Sequence, residues 1–401
     1  MAIKSKPPRR DRKTKPNRIR LFWARVTDGL ELSELWGQFQ SEARSSYRLY
    51  SADVDWEEID GRSRGKIGKA IRSVWALFQA MLMKLSPARR VLLLAAIFFL
   101  IFHPTIHLPN HRQTTIEVGG IGVAILFVLL AVELADRVTM KRDLEIAREI
   151  QEWLVPEHPP LVPGLDIAFA TRPQNTVAGD YFDAFVRAVP VGDAGHQPLL
   201  IVVADVAGKS IPAALLMATF QASLHTLTAT SATLDEIVFG LDRYCRAHSL
   251  DGRRFTTAFI GQLNLETREL VYVNAGHNDP IVRRASGKIE RLSTGGPPFG
   301  IPQFPGRESV YPSGRVQLEA EDIVFIFTDG VVEAINDREE DYGEERLLDC
   351  LKNPSMHSAQ ETLDRVMTDV NTFVGPARQY DDITGFVLHV RNSGDGPRMQ
   401  K

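Results

Sequence analysis

Cysteine is nearly absent from this sequence, which contains only Cys245 and Cys350 among its 401 residues. Two cysteines cannot build a disulfide framework or a cysteine-ligated metal cluster, and so low a number is typical of a reducing compartment. Histidine does not favour a zinc site either, because His225 and His248 have neither a cysteine nor a third histidine at ligand spacing.

A strong net charge is also missing. Lys and Arg number 47 against 50 Asp and Glu, for a formal charge of −3, which argues against a general nucleic-acid binder. The first twenty residues are nevertheless crowded with Lys and Arg and contain no apolar run, so we expect no signal peptide at the extreme N-terminus. A solvated, disordered arm is one interpretation of this segment, and attraction to anionic lipid is another.

Long hydrophobic runs are limited to two stretches, from Val91 to about Leu108 and from Ile116 to about Leu134. A membrane helix needs about 20 apolar residues, a length that the second stretch reaches and the first, interrupted at His103 and Pro104, only approaches. A buried core helix is the alternative for each stretch. We predict a transmembrane hairpin, because only a short polar segment separates the two.

Positive charge on the outer flanks of both stretches predicts that the two chain ends face the cytoplasm. The expected location is therefore the inner (cytoplasmic) membrane, as a multi-pass protein in contact with membrane lipid and with its C-terminal domain in the cytoplasm. An amphipathic helix is also expected at 66–85.

Proline positions and composition divide the chain into segments. A Gly- and Pro-free pattern over 131–154 predicts that the second apolar helix continues into a connector, and a group of prolines beginning at Pro156 ends it. The predicted segments are a basic N-terminal cytoplasmic region of unknown function at 1–90, the transmembrane hairpin at 91–135, the helical connector at 136–160, a folded domain at 161–391 and a disordered tail at 392–401.

The folded domain contains strand-like and helical runs in an irregular order. Strands are predicted at 166–171, 199–205, 256–264, 269–274, 323–328 and 383–390, and helices at 211–229, 232–249 and 359–374. This order does not suit a regular alternation of strand and helix, and it indicates an α+β domain.

Four acidic clusters abut hydrophobic runs in this domain: Gly179-Asp180, Ala204-Asp205, Thr328-Asp329-Gly330 and Asp381-Asp382. An isolated carboxylate at the end of a core strand is costly unless it is exposed, paired or metal-bound. Any one of these acids alone is as readily a turn or helix-cap aspartate. The four together indicate a metal site, and their oxygen atoms favour Mg²⁺ or Mn²⁺ over Zn²⁺.

Several longer motifs surround these acids in order along the chain. They are Val177-Ala178-Gly179-Asp180-Tyr181-Phe182-Asp183, Asp205-Val206-Ala207-Gly208-Lys209-Ser210-Ile211-Pro212-Ala213-Ala214, Phe255-Thr256-Thr257-Ala258-Phe259, Asn274-Ala275-Gly276-His277-Asn278, Gly295-Gly296-Pro297-Pro298-Phe299-Gly300, Phe327-Thr328-Asp329-Gly330-Val331-Val332-Glu333-Ala334 and Asp381-Asp382-Ile383-Thr384. Together they resemble the metal-dependent PPM (PP2C-type) serine/threonine phosphatases, in their bacterial RsbU/SpoIIE-like branch. The resemblance covers about residues 140 to 391.

This resemblance implies a fold and a site. The fold is a PP2C-like two-layer antiparallel β-sandwich flanked by helices, so that 161–391 becomes the phosphatase domain. Two Mn²⁺ or Mg²⁺ ions are implied, with Asp205 bridging them, the backbone carbonyl of Val206 as a further ligand, and Asp329 and Asp381 completing the shell of one ion. Asp180 falls where the family has a metal-site acid that acts directly or through water.

The resemblance also implies an activity and partners. Two ions would activate a water for hydrolysis of phosphoserine or phosphothreonine, and the expected substrate is a phosphorylated anti-sigma-factor antagonist in the cytoplasm. Similar connectors pair as coiled coils, so a homodimer through the connector is an open alternative. Two other functions are kept open: a catalytically weak membrane scaffold that binds a phosphoprotein, and a two-metal phosphodiesterase.

Two residues leave the chemistry open. Asn175 stands at the offset where eukaryotic members have their phosphate-binding arginine, so the sequence does not say what holds the substrate phosphate besides the metals. His277 is interpreted as a hydrogen-bonded structural residue in its turn, with a proton donor to the leaving alkoxide as the alternative.

Overall fold

The structure, a computed structural model, describes residues 66–102, 105–107, 115–117, 119–187, 197–230, 233–249, 252–301, 311–352 and 357–392. The chain forms two compact units, Met1–Arg137 and Val138–Lys401. The predicted basic arm at the N-terminus lies outside the described residues, as does nearly all of the predicted disordered tail at 392–401.

The described part of the first unit is mainly helical. Helix α1 (Lys66–Lys84), in the region of the predicted amphipathic helix, precedes α2 (Pro87–Phe102), which begins at a proline suited to the first helical position. A short antiparallel ladder of β1 (Thr105–His107) and β2 (Thr115–Glu117) then leads into the long helix α3 (Gly119–Leu154).

The predicted transmembrane hairpin at 91–135 is not supported. Helices form over both apolar stretches, but none in the described part of the chain is long and apolar enough to cross a membrane. Helix α2 has 16 residues, fewer than the about 20 required. In α3 the apolar run ends at Glu133 and Asp136, and both acids form ion pairs with Arg89 of α2.

The second unit holds the end of α3 and an α+β assembly. Its strands are β3 (Leu165–Arg172), β4 (Tyr181–Val186), β5 (Leu199–Val206), β6 (Thr256–Leu263), β7 (Glu269–Ala275), β8 (Ile281–Arg283), β9 (Ile289–Arg291), β10 (Gly295–Gly296), β11 (Gly314–Gln317), β12 (Ile323–Phe327) and β13 (Ile383–Val390). Its further helices are α4 (Ile211–Thr230), α5 (Leu234–Ala247), α6 (Asp329–Val332), α7 (Gly343–Leu351) and α8 (Ala359–Val374).

The strands form two sheets. One has the order β3-β13-β12-β8-β9, and the other has the order β10-β7-β6-β5-β4 with β11 also paired to β7. Every described pairing is antiparallel except the short pairing of β10 with β7. The predicted α+β fold with antiparallel sheets and helices is therefore confirmed.

Three apolar clusters hold the layers together. The first lies between the sheets, where Val203 of β5 and Ile326 of β12 belong to one core. The second packs α7 and α8 on the outer face of the β12 sheet, and the third packs α4 and α5 on the outer face of the β5 sheet. Central strands are consequently buried on both faces, which explains their continuous apolar sequences.

Sheet topology brings the predicted site residues to one end of the sandwich. Tyr181, at the start of β4, pairs with Ala204 near the end of β5, which places Asp180 beside Asp205. In the other sheet, Phe327 at the end of β12 pairs with Gly385 near the start of β13. The residues after β12 and before β13 therefore meet at the same edge, as antiparallel pairing requires.

Candidate active site

Asp180 and Asp205 form a carboxyl pair at the end of the β5 sheet. Asp180 is buried, and its carboxyl group shares a hydrogen bond with that of Asp205. The hydroxyls of Thr328 and Thr384, both from the other sheet, donate hydrogen bonds to Oδ2 of Asp180, the first of them at 2.9 Å. Asp180 thus joins the two sheets through its hydrogen bonds, in addition to its place beside Asp205.

Asp382 holds the loop that precedes β4. Its two carboxylate oxygens each accept a backbone N–H, from Gln174 and from Gly179, at 2.6 Å in both cases. The carbonyl oxygen of Val206, the predicted backbone ligand, lies against Gly179, where a Cβ atom would stand 3.2 Å from it. Because its oxygens are bound by the backbone, Asp382 acts as a positioning residue for this loop.

Asp329 and Asp381 come from the β12 sheet. Asp329 is the first residue of α6, and Gly330 after it packs so closely on Asp382 that a Cβ atom would be 1.9 Å from the Asp382 carbonyl oxygen. Asp381 is partly exposed, and its Oδ2 lies 3.0 Å from Nζ of Lys209, which follows β5. The edge of the sandwich therefore gathers all four predicted acids.

Burial and mutual repulsion disfavour the ionised form of these acids. Burial, followed by the charges of Asp329, Asp381 and Asp382, raises the pKa of Asp205 to about 7. Burial and the charge of Asp205 also raise the pKa of Asp180 well above its ordinary value. Desolvation and like charges act in the same direction here.

Asp329 behaves in the same way. Burial, then the charges of Glu333 and Asp381, raises its pKa to about 6, although the Gly330 N–H and Lys209 act in the opposite direction. Such a concentration of negative charge beside a protein core is what a bound divalent cation would neutralise.

The donor set fits a hard divalent cation in kind, because it consists of carboxylate oxygens and one backbone carbonyl. Within the described residues, however, no three His, Cys, Asp or Glu side chains are arranged to hold an ion as they stand. Asp180 shares a hydrogen bond with Asp205, and Asp381 pairs with Lys209. Ion binding at these acids would therefore require both contacts to open and the side chains to turn.

His277 lies in the turn after β7 and is buried. Its backbone N–H donates to Oδ1 of Asn274 at 2.7 Å, and its Nδ1 lies 3.1 Å from the Thr257 hydroxyl, in the strand position that pairs with Asp205. Burial lowers the pKa of His277 to about 4. These contacts agree with its interpretation as a structural residue.

The end of α3 contacts the loop before β4. Nε2 of Gln151 donates to the Ala178 carbonyl at 2.7 Å, and the Ala178 N–H donates to Oε1 of Gln151 at 2.9 Å. One side-chain amide thus binds both backbone groups of a residue two positions before Asp180. The connector is in this way linked directly to the site.

Sequence reasoning missed the hydrogen bonds that two threonine hydroxyls donate to Asp180. It also missed the positioning role of Asp382 and the ion pair of Lys209 with Asp381. Thr328, Thr384, Asp382 and Lys209 all belong to the quoted motifs, so their presence was a signal. Their partners lie far away in the sequence, and no local pattern shows such contacts.

Comparison with known proteins agrees with this geometry. Residues 195–391 match the family model of stage II sporulation protein E (SpoIIE). Among curated proteins, Protein IcfG of Synechocystis is 25% identical over 312 residues, which cover 70% of this chain and 47% of that protein. Phosphoserine phosphatase RsbU of Bacillus subtilis is 28% identical over 195 residues, 48% of this chain and 54% of that protein. The chain spans about half the length of these curated relatives.

Among solved structures, the SiaA PP2C domain of Pseudomonas aeruginosa has a TM-score of 0.53 at 19% identity, covering 64% of this chain and 98% of that domain. This likeness concerns the fold. Residues 195–391, just under half of the chain, are therefore a SpoIIE-type domain of PP2C-like fold, similar to that of phosphoserine phosphatase RsbU.

Proposed function

We propose that this chain is a Mn²⁺- or Mg²⁺-dependent protein serine/threonine phosphatase. The observation that carries the proposal is the gathering of Asp180, Asp205, Asp329 and Asp381 at one edge, where burial and mutual charge raise the pKa of three of them. A protein retains such a costly cluster where it serves chemistry.

The proposed roles of the site residues differ. Asp205, Asp329, Asp381 and the Val206 carbonyl would hold the ions, and Asp180 would hold a proton or a water beside Asp205. Bound ions would supply an activated water and would neutralise the charge of the phosphoryl oxygens. Asp382 keeps the preceding loop against Val206 through its two backbone hydrogen bonds.

The proposed substrate is phosphoserine or phosphothreonine on a regulatory protein of the anti-sigma-factor antagonist class. Support comes from the resemblance to the RsbU/SpoIIE-like branch and from RsbU itself, which is named a phosphoserine phosphatase. Dimer formation through the connector is also proposed, because α3 leaves Ile146, Ile150 and Trp153 exposed at helical spacing. Attachment to a membrane stays a prediction from the sequence.

The test is Mn²⁺-dependent phosphate release by the full chain from a phosphoserine anti-sigma-factor antagonist. Asp329→Asn keeps the shape of the side chain and removes its charge, so we expect release to fall at least about 100-fold. Asp349→Asn is the matched control, because Asp349 is an exposed acid in an ion pair with Lys352, and it should leave the rate unchanged.

The other two functions predict different results. A scaffold would bind the phosphoprotein and Mn²⁺ without releasing phosphate. A phosphodiesterase would cleave bis(p-nitrophenyl) phosphate faster than p-nitrophenyl phosphate, whereas the proposed monoesterase would show the reverse order. Release that is independent of metal, or equal in the Asp329→Asn variant, would contradict the proposal.

A further inference from the structure

Lys209 lies on the loop that connects β5 to α4. The loop turns sharply, since Gly208 has a φ of +130° and Ser210, a residue with a side chain, has a φ of +61°. Helix α4 begins directly afterwards at Ile211. This turn lets a side chain that belongs to the β5 sheet reach an acid that belongs to the β12 sheet.

The ammonium of Lys209 has two protein partners. Its Nζ lies 3.0 Å from Oδ2 of Asp381 and donates to the Tyr380 carbonyl. An ammonium has three donors, so one remains for another acceptor. The side chain as a whole is 53% exposed to solvent.

No other described Lys or Arg forms an ion pair with the acids at this edge, which are Asp180, Asp205, Asp329, Asp381 and Asp382. Two arginines near this edge have other partners. Arg172 donates to the side chains of Gln379 and Asn371, and Arg254 donates to the Ala207 carbonyl at 3.2 Å.

An incoming phosphate monoester is a dianion, and the acids of this edge repel it. Metal ions would neutralise part of that charge, yet the family's eukaryotic arginine has no counterpart here. A lysine ammonium binds phosphoryl oxygens as a compact point charge. The position of Lys209, next to Asp381 and open to solvent, is where such a charge would meet the substrate.

We propose that Lys209, whose contact with Asp381 would open when an ion binds there, donates one hydrogen bond to the phosphoryl group of the phosphoserine or phosphothreonine substrate. The inference rests on the proposed function and names the residue that holds the substrate phosphate besides the metals. Lys209 forms no covalent bond in this role, and it lowers the energy of the bound dianion by charge and by one hydrogen bond.

The experiment compares Lys209→Met and Lys209→Arg with the wild-type full chain loaded with Mn²⁺. Binding of inorganic phosphate is measured by calorimetry, next to Mn²⁺ affinity and to kcat and KM on the phosphoprotein. Lys352→Met is the matched control, because Lys352 is also half-exposed and also lies 3.0 Å from an aspartate. Thermal unfolding of each variant confirms that it is folded.

We expect Lys209→Met to weaken phosphate binding at least about 10-fold, the effect of one charge-assisted hydrogen bond, and to raise KM similarly. Lys209→Arg should recover most of the affinity, and Lys352→Met should match wild type. Mn²⁺ affinity in Lys209→Met should be unchanged or higher, because a cation that competes for Asp381 is gone.

Two results would overturn the inference. One is phosphate affinity in Lys209→Met equal to wild type while Mn²⁺ affinity changes, which would make Lys209 a counter-ion of Asp381 alone. The other is the absence of phosphate binding to the Mn²⁺-loaded wild type. If phosphate binds and depends on Lys209 but the phosphoprotein is not hydrolysed, the proposed function fails and the phosphate site stands.

Discussion

Asp205 destabilises the folded, metal-free protein when it is ionised, because burial and neighbouring negative charges disfavour its carboxylate form. In the folded protein its pKa is about 7, well above the ordinary value of 3.8. A group with a raised pKa contributes fully to stability only below its unfolded pKa, and that contribution is lost as the pH rises through the folded value. At pH 8 the metal-free protein therefore bears the whole cost of an ionised Asp205.

Asp205→Asn should accordingly stabilise the metal-free protein at pH 8 and have little effect near pH 4. The expected gain is on the order of 4 kcal/mol, because the pKa lies about 3 units above its ordinary value and each unit corresponds to about 1.4 kcal/mol. Urea unfolding in the presence of a chelator, at both pH values, measures it. Asp349→Asn provides the exposed control, and a variant that is less stable than wild type at pH 8 would refute the argument.

Short elements at the edge depend on close backbone contact. Helix α6 begins with Asp329, and its second residue, Gly330, packs against the backbone of Asp382, which in turn holds the loop before β4. Gly330 has no left-handed backbone angle that would itself demand glycine. Its need for glycine is therefore steric, and alanine tests the packing alone.

Gly330→Ala should destabilise the second unit by about 1–3 kcal/mol, the usual cost of overpacking, and should weaken Mn²⁺ binding because Asp329 and Asp382 must separate. Gly120→Ala is the matched control, because Gly120 is also the second residue of a helix and its Cβ would meet nothing within 4 Å. Denaturant unfolding and calorimetric metal titration give the two readouts. Equal effects at the two positions would show that packing on Asp382 is unimportant.

At the scale of the whole molecule, the sequence predicted those strands and helices that are long enough to show a clear apolar pattern. Strands β5, β12 and β13 are buried on both faces, so each appears as a continuous apolar run with nearly correct bounds. The short strands β8 to β11 and helix α6 were missed, because two to four residues carry too little pattern. The hairpin prediction is not supported by the described helices, because apolar runs alone do not fix helix length or the pairing of Arg89 with acids of α3.

The sequence predicted the acids of the candidate site. It did not predict the hydrogen bonds and the ion pair that hold these acids in place. Carboxylates after core strands, together with the ordered motifs, pointed to Asp205, Asp329 and Asp381. The hydroxyls that hold Asp180 and the Lys209–Asp381 pair join residues 148 or more positions apart, so they depend on how the two sheets pack. Only the folded molecule shows them.

Because the acids come from both sheets, metal binding should stabilise the sandwich as a unit. A ligand at 100 times its dissociation constant adds about 2.7 kcal/mol to the free energy of unfolding. For a domain of this size we expect Mn²⁺ to raise the Tm by about 5–10 °C in a single cooperative step. Asp329→Asn should remove most of that shift, and Asp349→Asn should retain it, in differential scanning calorimetry with and without a chelator. A shift of the same size in the Asp329→Asn protein would place the stabilising ion elsewhere on the chain.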